Sequence, residues 1–264
     1  MQDINVVVHG VFGKMGREVL DVLCREADLN PTGAVSRSAE PGASSTLPDG
    51  SGTIPLSNSL QDVIGAAHVV VDFTTASGAL AAMRTAVPRG VNVVTGTSGL
   101  SDLDLQEAES LAREHQVGII VAPNFALGGV LMIHLAKIAA RFFDYADLNE
   151  VHHEAKVDAP SGTAMAIARA VAEGKGRPFL APKAEKETIP GTRGGEHEGV
   201  TIHSGRMPGR VAHHELVFGM LGQTLTIRHD SINRESFMPG VVIAIREAVK
   251  KPGLTIGLEK IMGL

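Results

Sequence analysis

Ile4-Asn5-Val6-Val7-Val8-His9-Gly10-Val11-Phe12-Gly13-Lys14-Met15-Gly16-Arg17 decides the fold. The run from Ile4 to His9 is almost continuously apolar, as a strand buried on both faces requires. Glycines at every third position then make a tight turn, and a helical pattern over residues 14–27 follows. Gly13 lets the backbone approach a pyrophosphate at the helix N-terminus, and Gly16 lets the helix pack on the strand. The spacing departs from the usual G-x-G-x-x-G, and the same turn also suits a ligand-free βα connection. A strand before and a helix after give the dinucleotide reading its context.

Outward from this unit, strands are predicted at residues 32–36, 68–73, 92–97 and 117–122, with helices at 77–87 and 103–115. Apolar strands separated by helices imply a parallel sheet covered on both faces. Residues 38–57, rich in Ser, Gly and Pro, read as an exposed loop. After Phe125 the pattern changes to a helix at 127–143, a strand at 148–153 and a helix following Pro160. A Gly/Pro/charge-rich stretch at 174–199 then precedes strands at 200–204, 214–218 and 223–229, which suit an antiparallel or mixed sheet. A helix at 241–249 and a short terminal element close the chain, and the pattern does not say which domain they join. The fold class is α/β: a Rossmann-like dinucleotide-binding domain at 1–125 with a parallel sheet, and a central α+β domain at 126–234.

Composition narrows the partners. The 264 residues are 44% apolar, enough for a sizeable core, and 20% charged with a net charge of −5. No basic face is evident for nucleic acid or an anionic membrane, so a small molecule is the expected partner. The most apolar stretch, 125–136, is shorter than the roughly 20 residues that span a bilayer and contains His134, so a buried helix is expected. A single cysteine, Cys24, and an N-terminus without a signal-peptide pattern point to a reducing cytoplasm. His152-His153-Glu154 and His213-His214-Glu215 share a tripeptide, but their different flanks read as coincidence.

At the end of the second strand, Ala34-Val35-Ser36-Arg37 offers no carboxylate for ribose hydroxyls. Arg37, with Lys14 on the glycine turn, would suit a 2′-phosphate, although a lone arginine is also an ordinary solvated cation. The densest constellation is His152-His153-Glu154-Ala155-Lys156-Val157-Asp158-Ala159-Pro160-Ser161-Gly162-Thr163-Ala164. Here two histidines and a lysine precede a helix start capped by Asp158 or Ser161. The free N–H groups of that start, with the Ser161 and Thr163 hydroxyls, make a carboxylate or phosphate site. Adjacent histidines on a strand point to opposite faces and no cysteine or H-x-x-x-H partner is present, so no metal is expected. Each histidine alone would pass as a strand residue; together with the cations and the helix start they favour a catalytic site for an anionic substrate.

His152 through Ala164 matches H-H-x-x-K-x-D-A-P-S-G-T-A, and the chain resembles the 4-hydroxy-tetrahydrodipicolinate reductase (dihydrodipicolinate reductase) family along its whole length. Further matching segments are the Gly10 to Gly16 turn, Val71-Asp72-Phe73-Thr74, Gly96-Thr97-Ser98-Gly99, Ala122-Pro123-Asn124-Phe125 and Arg234. The resemblance implies NAD(P)H-dependent reduction of a cyclic dicarboxylate in the diaminopimelate route of lysine biosynthesis. It also implies a first domain rejoined by 235–264, and a central domain that binds substrate and builds a homotetramer through its sheet. By position, Gly10, Val11, Phe12, Gly13, Lys14 and Met15 would bind the pyrophosphate of NADPH or NADH. Gly96, Thr97 and Ser98, with Ala122, Pro123, Asn124 and Phe125, would approach the nicotinamide. His152 would be the proton donor/acceptor and Lys156 the proton donor, while His153, Ser161, Gly162 and Thr163 would hold the substrate. Two departures stand out: Ser98 where Thr is frequent, and Ser36 where the family's ribose-binding acid stands. Two other functions compete: a different nicotinamide enzyme acting on an aspartate-derived acid, and a non-catalytic dinucleotide sensor. Neither needs the paired histidines beside an anion cradle.

Overall fold

The computed structural model describes residues 3–264. The chain forms two compact units, Met1–Phe125 with Phe237–Leu264, and Ala126–Ser236. In chain order the first unit begins with β1 (Ile4–His9), α1 (Lys14–Arg25), β2 (Leu29–Val35), β3 (Ser44–Thr46), β4 (Thr53–Ser57), α2 (Leu60–Val63), β5 (Val69–Asp72), α3 (Ala76–Ala86), β6 (Asn92–Thr95), α4 (Asp102–His115) and β7 (Gly118–Val121). The second unit comprises α5 (Leu127–Ala140), β8 (Tyr145–His152), α6 (Gly162–Lys175), β9 (Gly195–His197), β10 (Val200–Arg206), β11 (Ala212–Met220) and β12 (Gln223–Ser231). The chain ends in the first unit with α7 (Met238–Ala248), β13 (Gly253–Ile256) and α8 (Glu259–Met262).

The first sheet runs β13-β7-β6-β5-β1-β2-β4-β3. Every pairing in it is parallel except β3 with β4. The strands β5 and β7 are buried at every position, which is why their sequences are apolar without alternation. Helix α1 buries Gly16, Val19, Leu20 and Leu23, an i, i+3, i+4, i+7 stripe. The end of the chain returns here for identifiable reasons. Arg246 of α7 forks onto Asp28 at 2.6 and 2.9 Å and onto Glu26 at 2.6 Å. Gly240 lies so close to the Phe125 carbonyl that a Cβ would collide with it, which brings α7 tight against the end of the β7 connection.

Residues 38–57 are not a plain loop, because β3 and β4 form a short hairpin at the sheet edge. Ile54 and Leu56 point inward on alternate positions of β4, a period-2 signal that the surrounding Ser, Gly and Pro obscured. β4 pairs with β2 only through Leu56 and Ser57, beyond Pro55 with its missing N–H. β2 also starts earlier than predicted, at Leu29. Pro31 lies within it, and the register against β1 shifts between Val6 and Val7. The single-turn α2 has no counterpart in the sequence reading.

The second sheet runs β12-β11-β8-β10-β9, with β8 and β10 parallel and the other pairs antiparallel. Its inner face carries Ala146, Leu148, Val200, Ile202, Leu216 and Phe218, packed with residues of α5 and α6 in one core. Helix α6 contributes Ala164, Ile167, Ala168, Val171 and Ala172. Helix α5 is less buried than its apolar sequence predicts: Met132, Ala136 and Ala140 face the core, whereas Leu131, Leu135 and Ile138 are exposed. Among the described residues, no helix is long and apolar enough to cross a membrane.

Candidate active site

In the first unit the predicted cofactor residues all follow the carboxyl ends of parallel strands: Gly10 to Met15 after β1, Arg37 after β2, Gly96 to Ser98 after β6, and Ala122 to Phe125 after β7. β1 is flanked by β5 on one side and β2 on the other, so the strand order reverses there. Ligands of open α/β sheets bind outside such a switch point. Gly10 sits at φ +87°, a left-handed conformation that glycine adopts without strain. Gly13 is the N-cap of α1, offers no side-chain cap, and is followed by no acidic residue in the first turn. Uncapped N–H groups beside Lys14 suit an anion such as a pyrophosphate. Phe12 and Arg37 are exposed.

A residue outside the predicted set organises this edge. Asp72, at the end of β5, is fully buried. It accepts hydrogen bonds from Thr74 Oγ1 at 2.6 Å, Thr95 Oγ1 at 2.9 Å and Thr97 Oγ1 at 2.8 Å, and pairs with His9 Nδ1 at 2.7 Å. Burial works to raise its pKa, but the bonds from His9, Thr74 and Thr97 outweigh it and keep the carboxyl below its ordinary value. One carboxylate thus ties the turns after β1, β5 and β6 together. The cap of α3 is Thr75, which accepts from Gly78 N at 3.2 Å.

In the second unit the constellation gathers at the end of β8. His152 is buried and His153 exposed, as strand alternation dictates. His152 Nδ1 is hydrogen-bonded to Glu150 Oε2, two residues back on the same face. Glu150 Oε1 accepts from Arg206 Nη2 at 2.9 Å and from Ser161 N at 3.3 Å. Burial pushes the Glu150 carboxyl up, yet hydrogen bonds from His152, Arg206 and Ser204 prevail and hold it at about 2. The ring of His214 on β11 meets that of His152 edge-on, with centroids 5.3 Å apart. Burial, then the neighbouring His152, drives His214 down to about 4, so it is neutral at physiological pH.

Ser161 is the N-cap of α6: its Oγ accepts from Ala164 N at 3.1 Å and lies 3.3 Å from His214 Nε2. The N–H groups of Gly162 and Thr163 find no partner among the described residues, which leaves an anion cradle with exposed Gly162 and half-buried Thr163 at its mouth. Lys156 N donates to the His153 carbonyl at 3.2 Å, so the chain turns between the two proton-handling candidates. Lys156 Nζ pairs with Asp158 Oδ1 at 2.7 Å, and this contact holds the Asp158 carboxyl below its usual range.

Glu150, His152 and His214 bring ligand-type atoms within 4.8 Å of one another. The contacts of the Glu150 carboxylate are all hydrogen-bond donors, however, and the Arg206 guanidinium on it opposes a second cation. The arrangement is a hydrogen-bonded cluster around one anion. Sequence reasoning missed Glu150, Arg206 and His214. The i, i+2 spacing of Glu150 and His152 on a predicted strand was the available signal for the first. The shared tripeptide read as coincidence belongs to neighbouring antiparallel strands, where His214 pairs with Glu150.

Family profiles described as dihydrodipicolinate reductase, N-terminus and C-terminus, match residues 4–125 and 128–262. The 4-hydroxy-tetrahydrodipicolinate reductase of Dehalococcoides mccartyi is 48% identical over 100% of both chains. That of Moorella thermoacetica is 45% identical over 98% of each. A dipicolinate-bound dihydrodipicolinate reductase from Paenisporosarcina sp. TG-14 superposes with a TM-score of 0.86 at 36% identity, covering 98% of this chain and 99% of the other. An amine dehydrogenase from Mycobacterium smegmatis, at 18% identity and a TM-score of 0.65, shares the fold alone.

Proposed function

The chain belongs to the dihydrodipicolinate reductase family, and from that premise we propose that it reduces 4-hydroxy-tetrahydrodipicolinate to tetrahydrodipicolinate, the step its relatives serve in diaminopimelate and lysine biosynthesis. It is an oxidoreductase that uses a nicotinamide cofactor. Overall, water leaves the hydroxylated ring, one hydride and one proton are added, and the cofactor is oxidised. The nicotinamide supplies the hydride; the proton must come from this chain. The single observation that carries the reading is the cluster at the end of β8, where a buried His152 sits beside an anion-binding helix start.

The residues divide the work by chemistry. The N–H groups of Gly162 and Thr163, the hydroxyl of Thr163 and the ring of His153 hold a substrate carboxylate. Lys156 and His152 meet the charge that hydride addition places on the ring. Gly10 to Met15 bind the pyrophosphate, and the turns at Gly96 to Ser98 and Ala122 to Phe125 serve the nicotinamide. The same proposal extends to a cytoplasmic location. It also extends to a homotetramer joined through the second sheet, whose outer face presents Tyr145, Asn149, Val151 and Val217. The decisive assay follows loss of nicotinamide absorbance while the product of dihydrodipicolinate synthase is supplied. No turnover with either cofactor, despite cofactor binding, would favour the sensor reading.

Cofactor choice follows from β2. It ends without a carboxylate at Ser36, and the exposed Arg37 is free of acidic partners among the described residues, so a 2′-phosphate meets attraction where an acid would repel it. NADPH is expected to serve at least as well as NADH, and Arg37→Ala to raise KM for NADPH much more than for NADH. Equal effects on the two would remove Arg37 from the site.

The cradle gives a second test. Pyridine-2,6-dicarboxylate presents two carboxylates on a flat ring and should compete with substrate. Thr163→Val, which keeps the shape and removes one hydroxyl, should weaken its binding by roughly 1 kcal/mol, the usual value of one hydrogen bond, with cofactor affinity untouched. A Thr163→Asp protein that binds the compound as wild type does, measured calorimetrically, would place the cradle elsewhere.

A further inference from the structure

We propose that Glu150 and Arg206 are a positioning pair, holding the ring of His152 and the N-terminus of α6 in one fixed arrangement so that proton donor and anion cradle act on the same substrate. The proposal rests on the assignment of proton transfer to His152 made above. Glu150 is completely buried, and the donors around its carboxylate come from three elements: His152 from β8, Arg206 and Ser204 from β10, and Ser161 from the start of α6. β10 runs parallel to β8 with Arg206 in register with His152, which sets the guanidinium beside the carboxylate. The same Nη2 donates to the Asp158 carbonyl at 2.6 Å. One guanidinium therefore grips both the anion behind His152 and the loop that carries Lys156 and leads into Ser161.

Two physical arguments separate positioning from simple stabilisation. An ionised carboxylate facing Nδ1 requires an N–H there, so the neutral imidazole keeps Nε2 free for the reacting partner. The neutral His214 acts on the other side: its Nε2 is hydrogen-bonded to the Ser161 hydroxyl at 3.3 Å, the same hydroxyl that accepts from Ala164 N, and this locks the cap. A buried ion pair is, moreover, a poor source of stability, because apolar residues of the same volume commonly do as well or better. Its cost is offset here by geometry. The guanidinium is itself imperfectly satisfied, since Arg206 Nε has no partner among the described residues, as expected of a group placed for its fork rather than for its own solvation.

The test is Glu150→Gln in the full-length enzyme, a change that keeps shape and still accepts from Arg206 and Ser161. We expect kcat to fall roughly 10- to 100-fold, the scale for losing the outer partner of a working histidine. KM and the affinity for pyridine-2,6-dicarboxylate should stay within about threefold of wild type. Charged and titratable groups facing His152 are Glu150 on its own strand, Arg206 on β10 and His214 on β11, with His213 and His229 acting on His214 in turn. Histidine-selective 15N spectra read the tautomer without turnover: wild type should show His152 protonated at Nδ1, and Glu150→Gln should lose that preference. The double variant E150Q/R206Q leaves no buried charge unpaired and guards against a folding defect; because it also frees the Asp158 carbonyl, its kcat should fall at least as far as that of Glu150→Gln. Unchanged kcat and tautomer in Glu150→Gln would overturn the proposal. So would parallel losses of melting temperature, ligand affinity and kcat, the pattern of a merely structural residue. A wild type that binds the dicarboxylate but never reduces substrate would sink the reductase reading instead, while the nitrogen spectra would still decide the pair.

Discussion

Lys156→Ala and His152→Ala are each expected to lower kcat by roughly 10²-fold or more, or about 2.7 kcal/mol of barrier, the scale of a lost acid–base group. Hydride addition to a conjugated imine ring leaves charge that a proton must meet. The chain offers two candidates for it at the end of β8, a buried His152 and a Lys156 brought round by the turn at the His153 carbonyl. Lys156 pairs with Asp158 at 2.7 Å, a half-exposed partner that a dianionic substrate can outcompete. If Lys156 only attracted substrate, its removal would raise KM and spare kcat. Because both groups would serve one proton-transfer step, the double variant should be far less impaired than the product of the single losses. Steady-state kinetics decide it: full kcat with only a raised KM would make both residues binding groups. Circular dichroism must accompany His152→Ala, since that variant strips from the buried Glu150 carboxylate one of its hydrogen-bond donors.

The local signals that read correctly from sequence were those confined to one element. The strand from Ile4 to His9, the glycine turn and the buried stripe of α1 need only a period and three glycines, and the helix start at Ser161 needs only its own capping residue. What sequence reading missed depends on partners far along the chain. Arg206 is 56 residues from Glu150, and His214 is 53 from Ser161. Asp72 entered the sequence reading only within a matching segment, because its partners His9, Thr95 and Thr97 come from β1, β6 and the turn after β6. Residues 38–57 misled for a different reason: Pro55 and the flanking glycines are breakers in isolation, yet at a sheet edge they cost little, and Ile54 and Leu56 still find the core. Exposed Leu131 and Leu135 on α5 show the limit of composition, which registers how apolar a helix is but not which face is covered.

The glycine turn allows stability and binding to be separated by two substitutions three residues apart. Gly16 faces the turn backbone at close range: an added Cβ would clash with the Gly10 carbonyl oxygen, and would stand 2.8 Å from Gly10 C and 2.9 Å from Val11 Cα. None of those atoms is the free end of a side chain, so relief requires moving the β1–α1 connection itself. Gly16→Ala is therefore expected to cost roughly 3 kcal/mol or more, the upper range for overpacking, and to lower the melting temperature by on the order of 10 °C in a chain of this size. Gly13 is different, with φ −67° and ψ 162°, a conformation open to alanine, and a nearest atom at 3.1 Å from an added Cβ. Its replacement by alanine should cost about 1 kcal/mol or less of stability, because the Gly10 carbonyl oxygen, 3.1 Å from the added Cβ, has to give only slightly. The added methyl would nevertheless stand at the uncapped helix start, where the proposed pyrophosphate must come within hydrogen-bond distance of the N–H groups. Cofactor affinity in Gly13→Ala should consequently fall by roughly tenfold or more, the equivalent of one or two lost anion hydrogen bonds. Thermal melts and fluorescence titration with NADPH read the two effects independently. Unchanged cofactor binding in Gly13→Ala would move the anion away from α1, and an undiminished melting temperature in Gly16→Ala would mean that the turn yields where its backbone contacts say it cannot.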